Sequence, residues 1–114
     1  MLIIEPSYDS YPSQIKLAGG VPVYVPFNFD ANARTSADFH IDFDLLRSKI
    51  TPKTKMLVLT SPNNPIGKLY TRSELEELAR IVKDADLLVL ADEVHEWYVF
   101  MVVCKLPRVV IFCL

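Results

Sequence analysis

Two acids and a histidine close an apolar run in this chain: Asp92, Glu93 and His95 follow residues 87–91 (LLVLA). Carboxylates at the end of a buried strand are where open α/β sheets bring charge to a ligand. An Asp-Glu pair of this kind could hold magnesium and a water for nucleotide hydrolysis. That chemistry also needs a glycine-rich cradle, Gly-x-x-x-x-Gly-Lys-Ser/Thr, whose amides wrap the phosphates. The one Gly-Lys pair here is Gly67-Lys68; Pro62 stands where the first glycine belongs and Leu69 where the hydroxyl belongs. The hydrolase reading is therefore disfavoured. Glu93 and Glu96 as a general acid and base have no nucleophile beside them, and they read, with Trp97, as structural. No group of residues has metal-ligand spacing, and none is assigned to a metal.

The elements that must position Asp92 are legible from periodicity. Residues 1–6 (MLIIEP) read as a short strand closed by Glu5-Pro6. Tyr11, Ile15 and Ala18 recur at helical spacing, and Gly19-Gly20 ends that helix as a C-cap would. Residues 21–27 (VPVYVPF) are β-branched, and Pro22 and Pro26 suggest a brief or edge strand. Residues 28–40 read as a polar loop. Asp42 is placed to cap a helix carrying Phe43, Leu46 and Ile50 on one face. Residues 55–60 (KMLVLT) form a buried-type strand that runs into turn chemistry, Ser61-Pro62-Asn63-Asn64-Pro65-Ile66-Gly67. Lys68, just past that glycine, reads as solvated. Thr71 and Glu74 make a capping box for the clearest helix, with Leu75, Leu78, Ala79 and Val82 on one face. Strand, helix and strand at this spacing make a βαβ unit, hence a parallel pair. Neither apolar strand alternates with polar residues, as expected where both sheet faces are covered. The fold class is α/β: a three-layer αβα arrangement on a mainly parallel sheet.

Three segments in order, residues 3–27, 50–81 and 87–100, resemble the class I/II aminotransferases of fold type I, nearest the kynurenine aminotransferase (cysteine-S-conjugate β-lyase) branch. The combination of Ser-Pro-Asn-Asn-Pro-x-Gly, a capped helix, a strand and Asp-Glu-Val is what makes the resemblance specific. It implies the large domain of a pyridoxal 5′-phosphate enzyme, which moves an amino group from an amino acid to a 2-oxo acid. It implies Asp92 as partner of the pyridine nitrogen, Asn64 as donor to the phenolate oxygen and Tyr8 as the aromatic on the ring face. His95 stands where the family usually has tyrosine as a second phenolate donor. A neutral imidazole can also donate one hydrogen bond, and a cystathionine β-lyase-like branch carries Asp-Glu-Ile-His here, so β-elimination remains open beside transamination. Each residue also has an ordinary role: Asp92 a cap, Asn64 a turn residue, Tyr8 a core aromatic, His95 a structural histidine.

The resemblance covers residues 1–100. Residues 101–114 depart from it: they carry Cys104 and Cys113 and, besides Pro107, no turn residue. The family's Schiff-base lysine, its phosphate-binding turn and its substrate-gripping arginine have no counterpart. No residue is therefore assigned as catalytic, and the expectation is a truncated chain, inactive alone, whose Met1 is not the natural start. A non-catalytic product that binds a full-length subunit is the third reading, since the family forms homodimers. At 114 residues, 51% hydrophobic, with a formal charge of −2, the chain reads as one small globular domain with no basic surface for nucleic acid. The start lacks a signal peptide's basic region, and no apolar run would span a bilayer. Two cysteines make no disulfide framework. These features lead to an expectation of a cytoplasmic protein, or a mitochondrial one for the full-length form.

Overall fold

In the computed structural model, which describes residues 1–99, five strands form one sheet in the order β3-β2-β1-β4-β5. The strands are β1 (Leu2–Glu5), β2 (Val23–Asn28), β3 (His40–Ile41), β4 (Met56–Thr60) and β5 (Leu88–Asp92). β2, β1, β4 and β5 run parallel; β3 pairs antiparallel with β2. Helix α1 (Ser10–Leu17) connects β1 to β2, α2 (Phe43–Ser48) precedes β4, and α3 (Arg72–Asp84) crosses from β4 to β5. Residues 101–114, with Cys104 and Cys113, lie outside the described residues.

Alternation along the strands sorts the layers. Leu2, Ile4, Val25, Phe27, Leu57, Leu59, Val89 and Ala91 face a core shared with Leu46 of α2 and Leu75, Leu78, Ile81 and Val82 of α3. Ile3 and Val58 face the other side, against Tyr11 and Ile15 of α1. The αβα sandwich is thus present, with α2 and α3 beneath the sheet and α1 above it. Coverage is uneven, however. β4 is buried along both faces, but on β5 Leu88 is 45% exposed, so the expected two-sided burial holds only for the inner strand.

The helix ends follow their sequence signals. The Asp42 side chain accepts the Leu45 amide at 2.8 Å. Thr71 and Glu74 exchange the reciprocal bonds of a capping box. α1 closes as Gly19 takes a φ of +76° and the Gly20 amide donates back to the Ile15 carbonyl at 2.8 Å, a conformation glycine adopts without strain.

Three local expectations change. β2 is not an edge strand: β3 flanks it, and Pro26, which has no amide hydrogen to donate, sits near the strand's end beside Glu5. The segment 28–40 is not all loop; a 3-10 turn at Ser36–Asp38, capped by Thr35, leads into β3. Trp97 is not packed structurally, since it is 83% exposed.

Candidate functional site

Parallel strands bring their carboxyl ends to one edge of the sheet. The segments leaving β1, β4 and β5 carry Tyr8, Asn64, and Asp92 with His95. Strand order reverses between β1 and β4, because the chain winds outward to β2 and β3 and then returns to the far side of β1. Such a switch point opens a crevice at the carboxyl ends, where open α/β sheets take their ligands.

Thr60 and Asp92 are register partners at the ends of β4 and β5. Alternation from Val58 and Leu90 turns both toward α1. Tyr11, in the first turn of α1, reaches both. Its hydroxyl donates to Asp92 Oδ2 and lies 3.0 Å from Thr60 Oγ1. The other carboxylate oxygen, Asp92 Oδ1, accepts the Val94 amide at 3.2 Å. Burial first, and then the Asp92 carboxylate, push the Tyr11 phenol up to about 12, so it stays protonated and a donor. Tyr8 meets the Tyr11 ring edge-on at 5.7 Å and keeps 44% of its own surface exposed; it is a rim aromatic rather than a core one.

The turn after β4 is pinned from several sides. The Asn63 side chain is buried and donates to the Pro6 carbonyl at 3.3 Å, tying the β4 turn to the β1 turn. The Asn63 amide donates to the Lys68 carbonyl at 2.9 Å, and the Gly67 amide to the Asn63 carbonyl at 2.7 Å. Gly67 has a φ of +68°, as this tight return requires. Lys68 is not solvated, as the sequence suggested. It is 1% exposed, its Nζ 3.1 Å from Glu74 Oε1 and 5.5 Å from the centre of the Tyr70 ring. The loop folds back on itself and carries the side chain under the start of α3. There Glu74 serves twice, capping through Oε2 and balancing Lys68 through Oε1. Burial, then the Glu74 charge, hold the Tyr70 phenol above its ordinary range.

Asn64 and His95 share the wall of an open depression of about 700 Å³, with Pro62, Gly67, Leu69 and Tyr98 around them. Among the described residues neither the Asn64 amide nor the His95 imidazole has a hydrogen-bond partner; His95 only leans on the Tyr98 ring at 5.7 Å. The four expected site residues therefore fall into two neighbouring groups. Asn64 and His95 line the depression, while Asp92 and Tyr8 are joined through Tyr11. The Ser61 amide, donating to the Asp92 carbonyl at 2.9 Å, ties the two groups. Tyr11 and Thr60 were not anticipated as site residues. The signal available was a phenol on a buried helix face and a hydroxyl ending an apolar strand. Among the described residues no group of His, Cys, Asp or Glu could hold a metal ion, and no helix is long and apolar enough to cross a membrane.

Comparison with known proteins gives a consistent result. The family profile for aminotransferase class I and II matches residues 1–107. Kynurenine–oxoglutarate transaminase 3 of Rattus norvegicus is 42% identical over 103 residues, covering 88% of this chain and 23% of the relative. Bna3p of Saccharomyces cerevisiae, a candidate kynurenine aminotransferase, superposes with a TM-score of 0.80 at 37% identity, over 83% of this chain and 23% of that one. Cystalysin of Treponema denticola, whose crystal structure contains pyridoxal 5′-phosphate, superposes with a TM-score of 0.71 at 27% identity, over 81% of this chain and 22% of that one. The chain spans about a quarter of the length of these relatives.

Proposed function

Because the chain belongs to the class I and II aminotransferases, we propose that it forms the cofactor-facing part of a pyridoxal 5′-phosphate-dependent transaminase. That enzyme would move an amino group from an amino acid to a 2-oxo acid. The observation that carries the reading is the convergence of Tyr8, Asn64, His95 and Asp92 at the carboxyl ends of β1, β4 and β5, each with capacity to spare. A carboxylate has about four acceptor sites, and Asp92 uses one on each oxygen. Among the described residues the Asn64 amide and the His95 imidazole have no hydrogen-bond partner, and Tyr8 is 44% exposed. A protonated pyridine nitrogen, a phenolate oxygen and a flat ring need an acceptor, donors and an apolar cover, so the residues fit the group.

Bound here, the cofactor supplies an electron sink for the substrate's α-carbon. Asp92 accepts the ring N–H and keeps that nitrogen charged. Asn64 would donate its amide to the phenolate oxygen, and the His95 imidazole would add a second donor. Tyr8 covers one ring face and excludes water from it. The covalently linking lysine is proposed to come from outside residues 1–99. Lys68 is ion-paired beneath α3, and the other described lysines are exposed.

A second reading is β-elimination on the same scaffold, because His95, which lines the depression with Asn64, matches the histidine of the β-lyase-like branch. Assaying the full-length protein with an aromatic amino acid, with and without a 2-oxo acid, separates the two. Turnover that requires the 2-oxo acid supports transamination. Pyruvate release from a cysteine conjugate without it supports the lyase, and neither activity overturns both. Asp92→Asn is expected to lower kcat/KM by at least about 100-fold, as loss of a charged hydrogen-bond partner does.

A further inference from the structure

We propose that Tyr11 is a positioning residue for the cofactor's ring nitrogen: by donating its hydroxyl hydrogen to Asp92 Oδ2, it holds the Asp92 carboxylate toward the pyridine N–H. This rests on the cofactor reading above. The argument begins with register. Thr60 and Asp92 are paired at the ends of β4 and β5 and face α1, and Tyr11 sits over them from that helix. Its hydroxyl meets both oxygens from a position 5% exposed. A packing role would use the ring alone, against Ile3, Ile15 and Val58; a phenylalanine would serve it without burying a hydroxyl. Here the hydroxyl hydrogen goes to the acid.

The two ends of the carboxylate are then held by unlike donors. Val94 holds Oδ1 through the backbone, a contact any residue at that position but proline would make. Tyr11 holds Oδ2 from a separate element, so the carboxylate plane is set by how α1 sits on the sheet as well as by the turn after β5. A bond between a neutral donor and a charged acceptor is among the stronger ones. With the phenolic hydrogen given to Asp92, the Thr60 hydroxyl, 3.0 Å from the Tyr11 oxygen, is left to donate to it. The high affinity of this phenol for its proton agrees with a permanent donor role.

The test uses the full-length protein and two ligands that bind without a covalent link: pyridoxamine 5′-phosphate and its counterpart with carbon in place of the ring nitrogen. Their dissociation constants are measured for wild type, Tyr11→Phe and Thr60→Val. Tyr11→Phe is expected to weaken the nitrogen-containing ligand about tenfold and the carbon analogue less than about twofold. Thr60→Val is expected to show the same selectivity, with a smaller loss. Equal losses on both ligands mean that Tyr11 only packs, and no loss means that it does not act on the ring; either overturns the inference while leaving the cofactor reading intact. Should Tyr11→Phe fail to fold, Thr60→Val decides by the same criterion. A wild type that binds neither ligand overturns the cofactor reading and this inference together.

Discussion

At the scale of single residues, the site is organised by one phenol. Tyr11 belongs at once to the α1 core and to Asp92, so its removal touches both stability and the site. Tyr11→Phe keeps the ring packing and is expected to cost about 1 kcal/mol, the typical worth of one hydrogen bond. The pH dependence has a definite sign. The Tyr11 phenol is pushed from its ordinary 10 up to about 12 in the folded chain. The unfolded chain therefore loses its proton first, and the stability from this group is full below pH 10 and declines between 10 and 12. Chemical denaturation across that window should show the decline, and Tyr11→Phe should flatten part of it. An equal slope in both proteins would remove Tyr11 as the cause.

Elements set the second scale. The turn that carries Asn64 is anchored by Lys68 and Glu74 where it enters α3. Lys68→Met would leave Glu74 charged and uncompensated at 9% exposure. Loss of one member of a buried pair costs roughly 3 kcal/mol or more, whereas replacing both is far milder. Lys68→Met alone should therefore lower the thermal midpoint more than Lys68→Met with Glu74→Gln. If the double variant is as unstable as the single one, the pair is not what holds the turn. Thr71→Ala removes the hydroxyl that accepts the Glu74 amide at 3.2 Å and should cost about 1 kcal/mol in the same melt.

For the whole molecule, the sheet's outer strand decides behaviour. Among the described residues β5 pairs only with β4, and its α1-side face is partly bare at Leu88. An unpaired, half-covered edge strand recruits other chains. Expressed by itself, the 114-residue chain is predicted to self-associate, and Leu88→Lys to raise its monomer fraction in size-exclusion chromatography. A monodisperse wild-type monomer would contradict this. The same chain mixed with pyridoxal 5′-phosphate and borohydride is predicted to show no stoichiometric adduct at one particular lysine, only scattered partial labelling of exposed ones, since Lys68 is ion-paired and the other described lysines are exposed. Mass spectrometry reads the outcome directly.

Much of this was legible in residue order alone. The capping box at Thr71, the caps at Asp42 and Gly19, the apolar strands and the parallel βαβ unit depend on neighbours a few positions away, and such short-range signals survive in sequence. The run from Ser61 to Gly67 with Asp92 was likewise enough to name a family. What the sequence left open involves partners far apart along the chain. Tyr11 read only as part of a helical repeat because nothing near it in sequence reveals that Asp92 ends a strand in register with Thr60, under the same helix. Lys68 read as solvated because the acid that buries it lies beyond a turn whose path only the fold defines. Hydrogen bonds and ion pairs act over a few ångströms of space, and only the folded sheet brings those residues that close.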